Sequence, residues 1–106
     1  MKTLHLFLLL ALFVLTPVFA DEPEKHSVMP KNGFIPDKET AIKIAEAIWL
    51  PIYGEATINK ERPFNATLLN GVWIVEGSLP KGFVSGVAIV EISKQDGRII
   101  RVSHGK

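Results

Sequence analysis

The 106-residue sequence predicts an α+β domain in which one N-terminal helix packs on a four-stranded antiparallel meander. Three observations carry that expectation. Apolar residues recur at spacings of three and four from Ala41 to Trp49, the period of a helix with one buried face. From Phe64 onward the period drops to two, as it does in strands with one face buried. Asn70-Gly71 and Asp96-Gly97 punctuate those strands with hairpin turns, so neighbouring strands run antiparallel.

Ahead of the domain, the single positive charge of Lys2 precedes ten apolar residues, Leu6 to Leu15, and Thr16-Pro17 breaks the run. Val18-Phe19-Ala20 suits the positions that signal peptidase reads, and the chain then turns acidic at Asp21-Glu22. This is the build of a secretory signal peptide over Met1–Ala20, cleaved after Ala20, which places the mature chain in the periplasm or outside the cell. A membrane-spanning helix would need roughly twenty apolar residues, so a retained anchor is not expected. Residues 21–33 read as a flexible polar leader and residues 34–106 as the domain. Up to Pro36 only Val28, Met29, Phe34 and Ile35 are able to pack, and this stretch is expected to dock late, if at all.

Asp37 is the expected N-cap, its carboxylate placed to accept an amide of the first turn. Ala41, Ile44, Ala45, Ile48 and Trp49 form the apolar face, with Lys43 and Glu46 opposite. Pro51 cannot donate to the carbonyl of Ala47, and Gly54 suits a final turn, so the helix spans about Lys38 to Tyr53. The Asn70-Gly71 turn pairs Leu69 with Val72, Leu68 with Trp73, Ala66 with Val75 and Phe64 with Gly77. That parity turns Phe64, Ala66, Leu68, Trp73 and Val75 toward the helix. A loop from Leu79 to Gly86 leads to a third strand, Val87 to Ser93. Lys94-Gln95-Asp96-Gly97 then makes a turn with Gly97 left-handed, followed by a fourth strand, Arg98 to Ser103. The expected pairs there are Ile92 with Ile100, Glu91 with Arg101 and Val90 with Val102.

Four strands at about 4.8 Å spacing make a sheet wider than the roughly 10 Å of a single helix, so the face away from the helix stays open. Leu69, Val72, Ile74, Val87, Ile89 and Ile99 fall on that face by parity, framed by Glu76, Glu91 and Arg101. Apolar surface rimmed by charge on a small domain marks a contact surface. Ile74, Glu76, Ile89, Glu91 and Arg101 are therefore the expected partner-binding residues, either for another protein or for a homodimer. The loop adds Lys81 and Phe83, a cation and an aromatic anchor among glycines.

The rest of the composition excludes more than it suggests. The chain has 12 basic and 11 acidic residues, and loss of Lys2 with the leader leaves the two in balance, which disfavours nucleic acid as a partner. There is no cysteine, hence no thiolate nucleophile, thiolate metal site or disulfide. His26 and His104 stand too far apart in sequence to suggest a metal pair, and the serines have no neighbouring base. Glu76 and Glu91 are the carboxylates placed to meet from adjacent strands, and Glu91 is better read as the cross-strand partner of Arg101. Trp49 and Trp73 fall at core parity. No catalytic residues, metal or cofactor are expected.

From Gly33 to Lys106 the chain resembles the immunity proteins with a nuclear-transport-factor-two-like fold, found beside polymorphic toxins in bacteria. The residues that carry the likeness are the helix Ala41-Ile42-Lys43-Ile44-Ala45-Glu46-Ala47, Pro51-Ile52-Tyr53-Gly54-Glu55, Arg62-Pro63-Phe64 and the run Asn70-Gly71-Val72-Trp73-Ile74-Val75-Glu76-Gly77-Ser78-Leu79-Pro80. Gly86-Val87, Glu91-Ile92, Asp96-Gly97 and His104-Gly105-Lys106 continue it, while Ser85 and Ile89 depart from the pattern. The resemblance implies a cystatin-like architecture, half of the family's cone, and a protein that occludes a cognate toxin without catalysis. Two other readings compete. A ligand-binding or enzymatic relative with the same fold would need polar groups converging on the concave face, where the parity here is almost wholly apolar. A peptidase-regulating domain of the PepSY type shares the helix and the Asp-Gly turn, and fits the stretch from Trp73 to Pro80 less well.

Overall fold

The computed structural model describes residues 26–82 and 86–105; the expected signal peptide, Met1–Ala20, and also Phe83 and Lys106 lie outside them. A long helix α1 (Lys38–Tyr53) and a short one α2 (Glu55–Asn59) precede four strands, β1 (Asn65–Leu69), β2 (Val72–Glu76), β3 (Ala88–Ser93) and β4 (Ile99–His104). The strands form one antiparallel sheet in the order β1-β2-β3-β4, the expected meander.

Helix α1 begins where its cap requires. Asp37 is extended, and its Oδ1 accepts the Thr40 N–H at 2.8 Å and the Thr40 hydroxyl at 2.6 Å. Those bonds, the hydroxyl's first, hold the Asp37 carboxyl below the usual carboxylate range. Pro51 sits in the last turn, and the Gly54 N–H closes the helix on the Leu50 carbonyl at 2.9 Å. The second helix was not legible in the sequence, because Glu55–Asn59 offers one buried apolar residue, Ile58, and no repeat.

Ala41, Ala45 and Trp49 are fully buried against the sheet. The two alanines let the helix backbone approach closely, and Trp49 fills the space toward Phe64 with its ring edge-on, centroids 5.1 Å apart. Val75, Ala88, Val90 and Ile92 are likewise fully buried, and Trp73 retains 5% of its surface, as the strand parity requires. Leu68, of the same parity, lies on an edge strand and is 44% exposed. The indole Nε1 of Trp49 has no hydrogen-bond partner among the described residues.

The first hairpin pairs as expected: Leu69 with Val72, Leu68 with Trp73 and Ala66 with Val75. Asn70 (φ 48) and Gly71 (φ 76) both take the left-handed backbone that a two-residue turn of this hand demands. The second hairpin departs by one residue. Its turn closes through Ser93 N–H to the Arg98 carbonyl at 2.8 Å, so counting from the turn Ile92 pairs with Ile99, not with Ile100. Counting from the other end, Val90 pairs with Val102 and Glu91 with Arg101, as expected. The two registers differ by one residue, and a bulge absorbs it. Ile99 thus stands opposite Ile92 of the core instead of joining the far face.

The stretch ahead of the helix also packs more firmly than its composition suggests. Phe34 and Ile35 donate their amides to the carbonyls of Gln95 and Lys94 at 3.0 and 3.1 Å. Ile35 is 4% exposed, and its carbonyl accepts the Trp73 indole N–H at 2.8 Å. Gly33 lies so near the Lys94 carbonyl that a Cβ there would come within 2.5 Å of the oxygen. Residues 33–35 therefore cap the β3–β4 turn, and the expectation of late or absent docking gives way at that point.

Trp73→Phe removes the donor that pins Ile35 and leaves a buried carbonyl unpaired. It is expected to cost about 1–3 kcal/mol of stability, read as a lowered urea midpoint with an unchanged slope.

Candidate functional site

The face of the sheet turned away from α1 is built by alternate residues of all four strands. Across it run the rows Thr67, Ile74, Glu91, Arg101 and Asn65, Glu76, Ile89, Ser103, with Leu69, Val72 and Ser93 nearer the hairpin turns. Ile74, Ile89 and Val72 are half-buried, Leu69 is exposed, and Glu76 stands free in solvent. The structure thus brings Ile74, Glu76, Ile89, Glu91 and Arg101 together on one surface.

The arrangement differs from an apolar patch with a charged frame. Glu91 lies on the inner strand β3, directly beside Ile74, so charge sits within the apolar surface and not around it. Arg101 Nε donates to Glu91 Oε2 at 3.0 Å, and its Nη1 to the Ser103 hydroxyl at 3.1 Å. With the two side chains 53% and 24% exposed, the pair adds little to stability. It does hold a guanidinium and a carboxylate in fixed places for an incoming partner. Glu76 is opposite Ile89 and only diagonal to Glu91, so the two carboxylates do not form a facing pair.

Lys81 is exposed in the segment after β2. Phe83, expected to anchor a partner beside it, lies outside the described residues.

A polar cluster that the sequence did not disclose occupies the opposite end of the sheet from the hairpin turns. Glu61, in the connection from α2 to β1, is 5% exposed. Gly77 donates its N–H to the Ala88 carbonyl at 3.0 Å, and the reciprocal donor, the Ala88 N–H, goes to Glu61 Oε1 at 2.7 Å. A side chain thereby completes the β2–β3 ladder at its end. Glu61 Oε2 meets His104 Nε2 at 2.7 Å, and the Glu61 carbonyl accepts the Ser78 N–H at 2.7 Å. Tyr53, from the end of α1, covers the imidazole with ring centroids 5.0 Å apart. Glu61 is 43 residues from His104 and lies in a polar run without periodicity, so no local pattern marks it. One trace was present. Gly77 interrupts a strand pattern, a mark of close approach, and the approaching group is Glu61.

Among the described residues no group of three or more His, Asp or Glu could hold a metal ion, and no helix is long and apolar enough to cross a membrane. Glu61 and His104 contact each other, a backbone amide and a carbonyl, which is a structural use of both groups.

Residues 40–106 match the model of a family described as NTF2 fold immunity protein. The chain is 37% identical over 76 residues to Uncharacterized protein YhhH of Escherichia coli (strain K12), a match covering 71% of this chain and 60% of that protein. It is 37% identical over 84 residues to Uncharacterized protein YbbC of the same organism, covering 78% of this chain and 66% of that one. The chain therefore spans somewhat less than two thirds of the length of these curated relatives. No solved structure matches it.

Gly77→Ala tests the Glu61 packing, because a Cβ would lie 2.4 Å from Glu61 Oε1 and 2.7 Å from its Cβ. Crowding of this kind is expected to cost about 1–3 kcal/mol, visible as a lower urea midpoint.

Proposed function

Since the chain belongs to the NTF2-fold immunity protein family, we propose that it is an exported immunity protein, binding a cognate protein toxin and neutralising it by occlusion. The family match over residues 40–106 carries this reading. The open face of the sheet supports it with a surface of the right kind. Ile74 and Ile89 supply apolar contact, and Glu76, Glu91 and Arg101 supply charge that fixes orientation. Occlusion asks for complementary surface and for no reactive group, which accords with a cluster of Glu61 and His104 spent on internal contacts. A signal peptide ending at Ala20 would carry the antidote to the compartment where a toxin from a neighbouring cell arrives.

Burying apolar surface is worth about 25 cal/mol per Å² before the costs of association, so a few hundred Å² around Ile74 and Ile89 is enough to anchor a complex. Ile74→Lys combined with Ile89→Lys is expected to abolish co-purification with the toxin encoded next to this chain's gene, while circular dichroism and thermal unfolding stay close to wild type. Val75→Lys, one residue away but fully buried under α1, is expected to unfold the protein. Toxin retained by the folded double variant would move the contact surface elsewhere.

Export has its own readout. Mass spectrometry of the periplasmic fraction is expected to find a chain beginning at Asp21, and recovery of the uncleaved chain from the membrane would refute the signal peptide.

A further inference from the structure

At the end of the sheet away from the hairpin turns, the Glu61–His104 side-chain pair joins the last strand to the α2–β1 connection. His104 is the last residue of β4 and stands opposite Ala88, the first of β3. Its Nε2 lies 2.7 Å from Glu61 Oε2, and its Nδ1 lies 2.7 Å from the Gly105 carbonyl. Both ring nitrogens therefore face oxygens. A carbonyl and a carboxylate accept and do not donate, so only the doubly protonated imidazolium satisfies both contacts. Glu61 in turn receives the Ala88 N–H, so one carboxylate ties β3 and β4 to the α2–β1 connection.

We propose that Glu61 and His104 form a pH-released latch, fastened while the imidazole carries its second proton and loosened when it gives that proton up. A neutral imidazole keeps one N–H, and its bare nitrogen then opposes the lone pairs of either Glu61 or Gly105. The Ala88 amide, held by the same carboxylate, and the Gly105 amide, which donates to the Val87 carbonyl at 3.2 Å, are the bonds that loosen with it.

The groups around the ring agree with the sign. The α2–β1 connection presents the Glu61 carboxylate, α1 presents the Tyr53 ring, β3 presents Ala88, and β4's own end presents the Gly105 carbonyl. Among these described residues Glu61 is the charged neighbour and Tyr53 the other titratable one. Burial pushes the His104 pKa down, but the Glu61 hydrogen bond, the Gly105 carbonyl and the Glu61 charge together outweigh it, and the net direction is up from 6.5. A raised folded pKa means that the stabilisation is complete below the unfolded value near 6.5 and is lost as the pH rises through the folded value. The latch is closed in mild acid and opens toward alkaline pH. It concerns the fold alone and stands or falls independently of toxin binding.

Nuclear magnetic resonance of the purified protein decides the matter. The His104 imidazole is expected to titrate at a higher pH than in the urea-unfolded chain. Ala88 and Gly105 amide exchange, corrected for intrinsic base catalysis, should accelerate across that transition by on the order of tenfold for each pH unit separating the two midpoints. Val75 and Val90, in the sheet centre, should keep their protection throughout. His104→Gln, whose amide can still donate to Glu61 but does not titrate, is expected to remove the pH dependence. A His104 midpoint at or below that of the unfolded chain would overturn the latch, whether or not the variant folds. So would Ala88 exchange that stays level with pH in the native protein, or that keeps its pH dependence in a folded His104→Gln.

Discussion

A helix about 10 Å across lies on a sheet whose four strands are spaced at about 4.8 Å, and it cannot cover them all. Helix α1 packs chiefly on β1, β2 and β3, and reaches β4 through Tyr53 at its end. The core follows that geometry. Val75, Val90 and Ile92 on the two inner strands disappear from solvent, while Ile99 and Ile100 on β4 remain 36% and 43% exposed. The far face carries no second layer among the described residues, so Ile74 and Ile89 there stay only half-buried. A small domain built this way ends with a core on one side and an uncommitted sheet surface on the other.

Alanine and tryptophan divide the work under the helix. Ala41 and Ala45 bring the backbone of α1 close to the strands, and Trp49 and Ile58 then fill the volume that opens where the chain turns from α1 into α2. At the opposite end of α1, Trp73 reaches out of β2 to hold the Ile35 carbonyl, so the segment entering the helix is bonded to the sheet before the helix begins. The core is thus closed at both ends of α1 by an aromatic residue.

The polar groups separate by burial. Glu91 with Arg101 and Asp96 with Arg98 are exposed pairs whose energetic contribution is small and whose value is positional. Glu61 is different, since a carboxylate on a residue only 5% exposed would be costly unless each oxygen had a partner. It has them: the Ala88 amide on one oxygen and His104 on the other. Gly77 leaves the room that makes this possible. The far face, by contrast, keeps its charges accessible, and under the proposed function these are the groups that a toxin would meet.

Helix α1 and the first hairpin were legible in the sequence because each is specified by neighbours. Asp37 caps Thr40 three positions away, the apolar period of α1 needs only its own turn, and Asn70-Gly71 dictates the register of the strands it joins. The family resemblance was legible for the same reason, through contiguous runs such as Gly71 to Pro80. What the tertiary structure alone decided lies where distant segments compete for one place. The β4 bulge exists because the turn sets one register and the core and charge pairs set another. Ile35 is buried because Trp73, 38 residues on, supplies a donor for its carbonyl. Glu61 meets His104 because folding leaves the Ala88 amide without its ladder partner, and a carboxylate from another connection is near enough to take that position. Local periodicity carries no record of such encounters, since each depends on the three-dimensional position of residues that the sequence keeps apart.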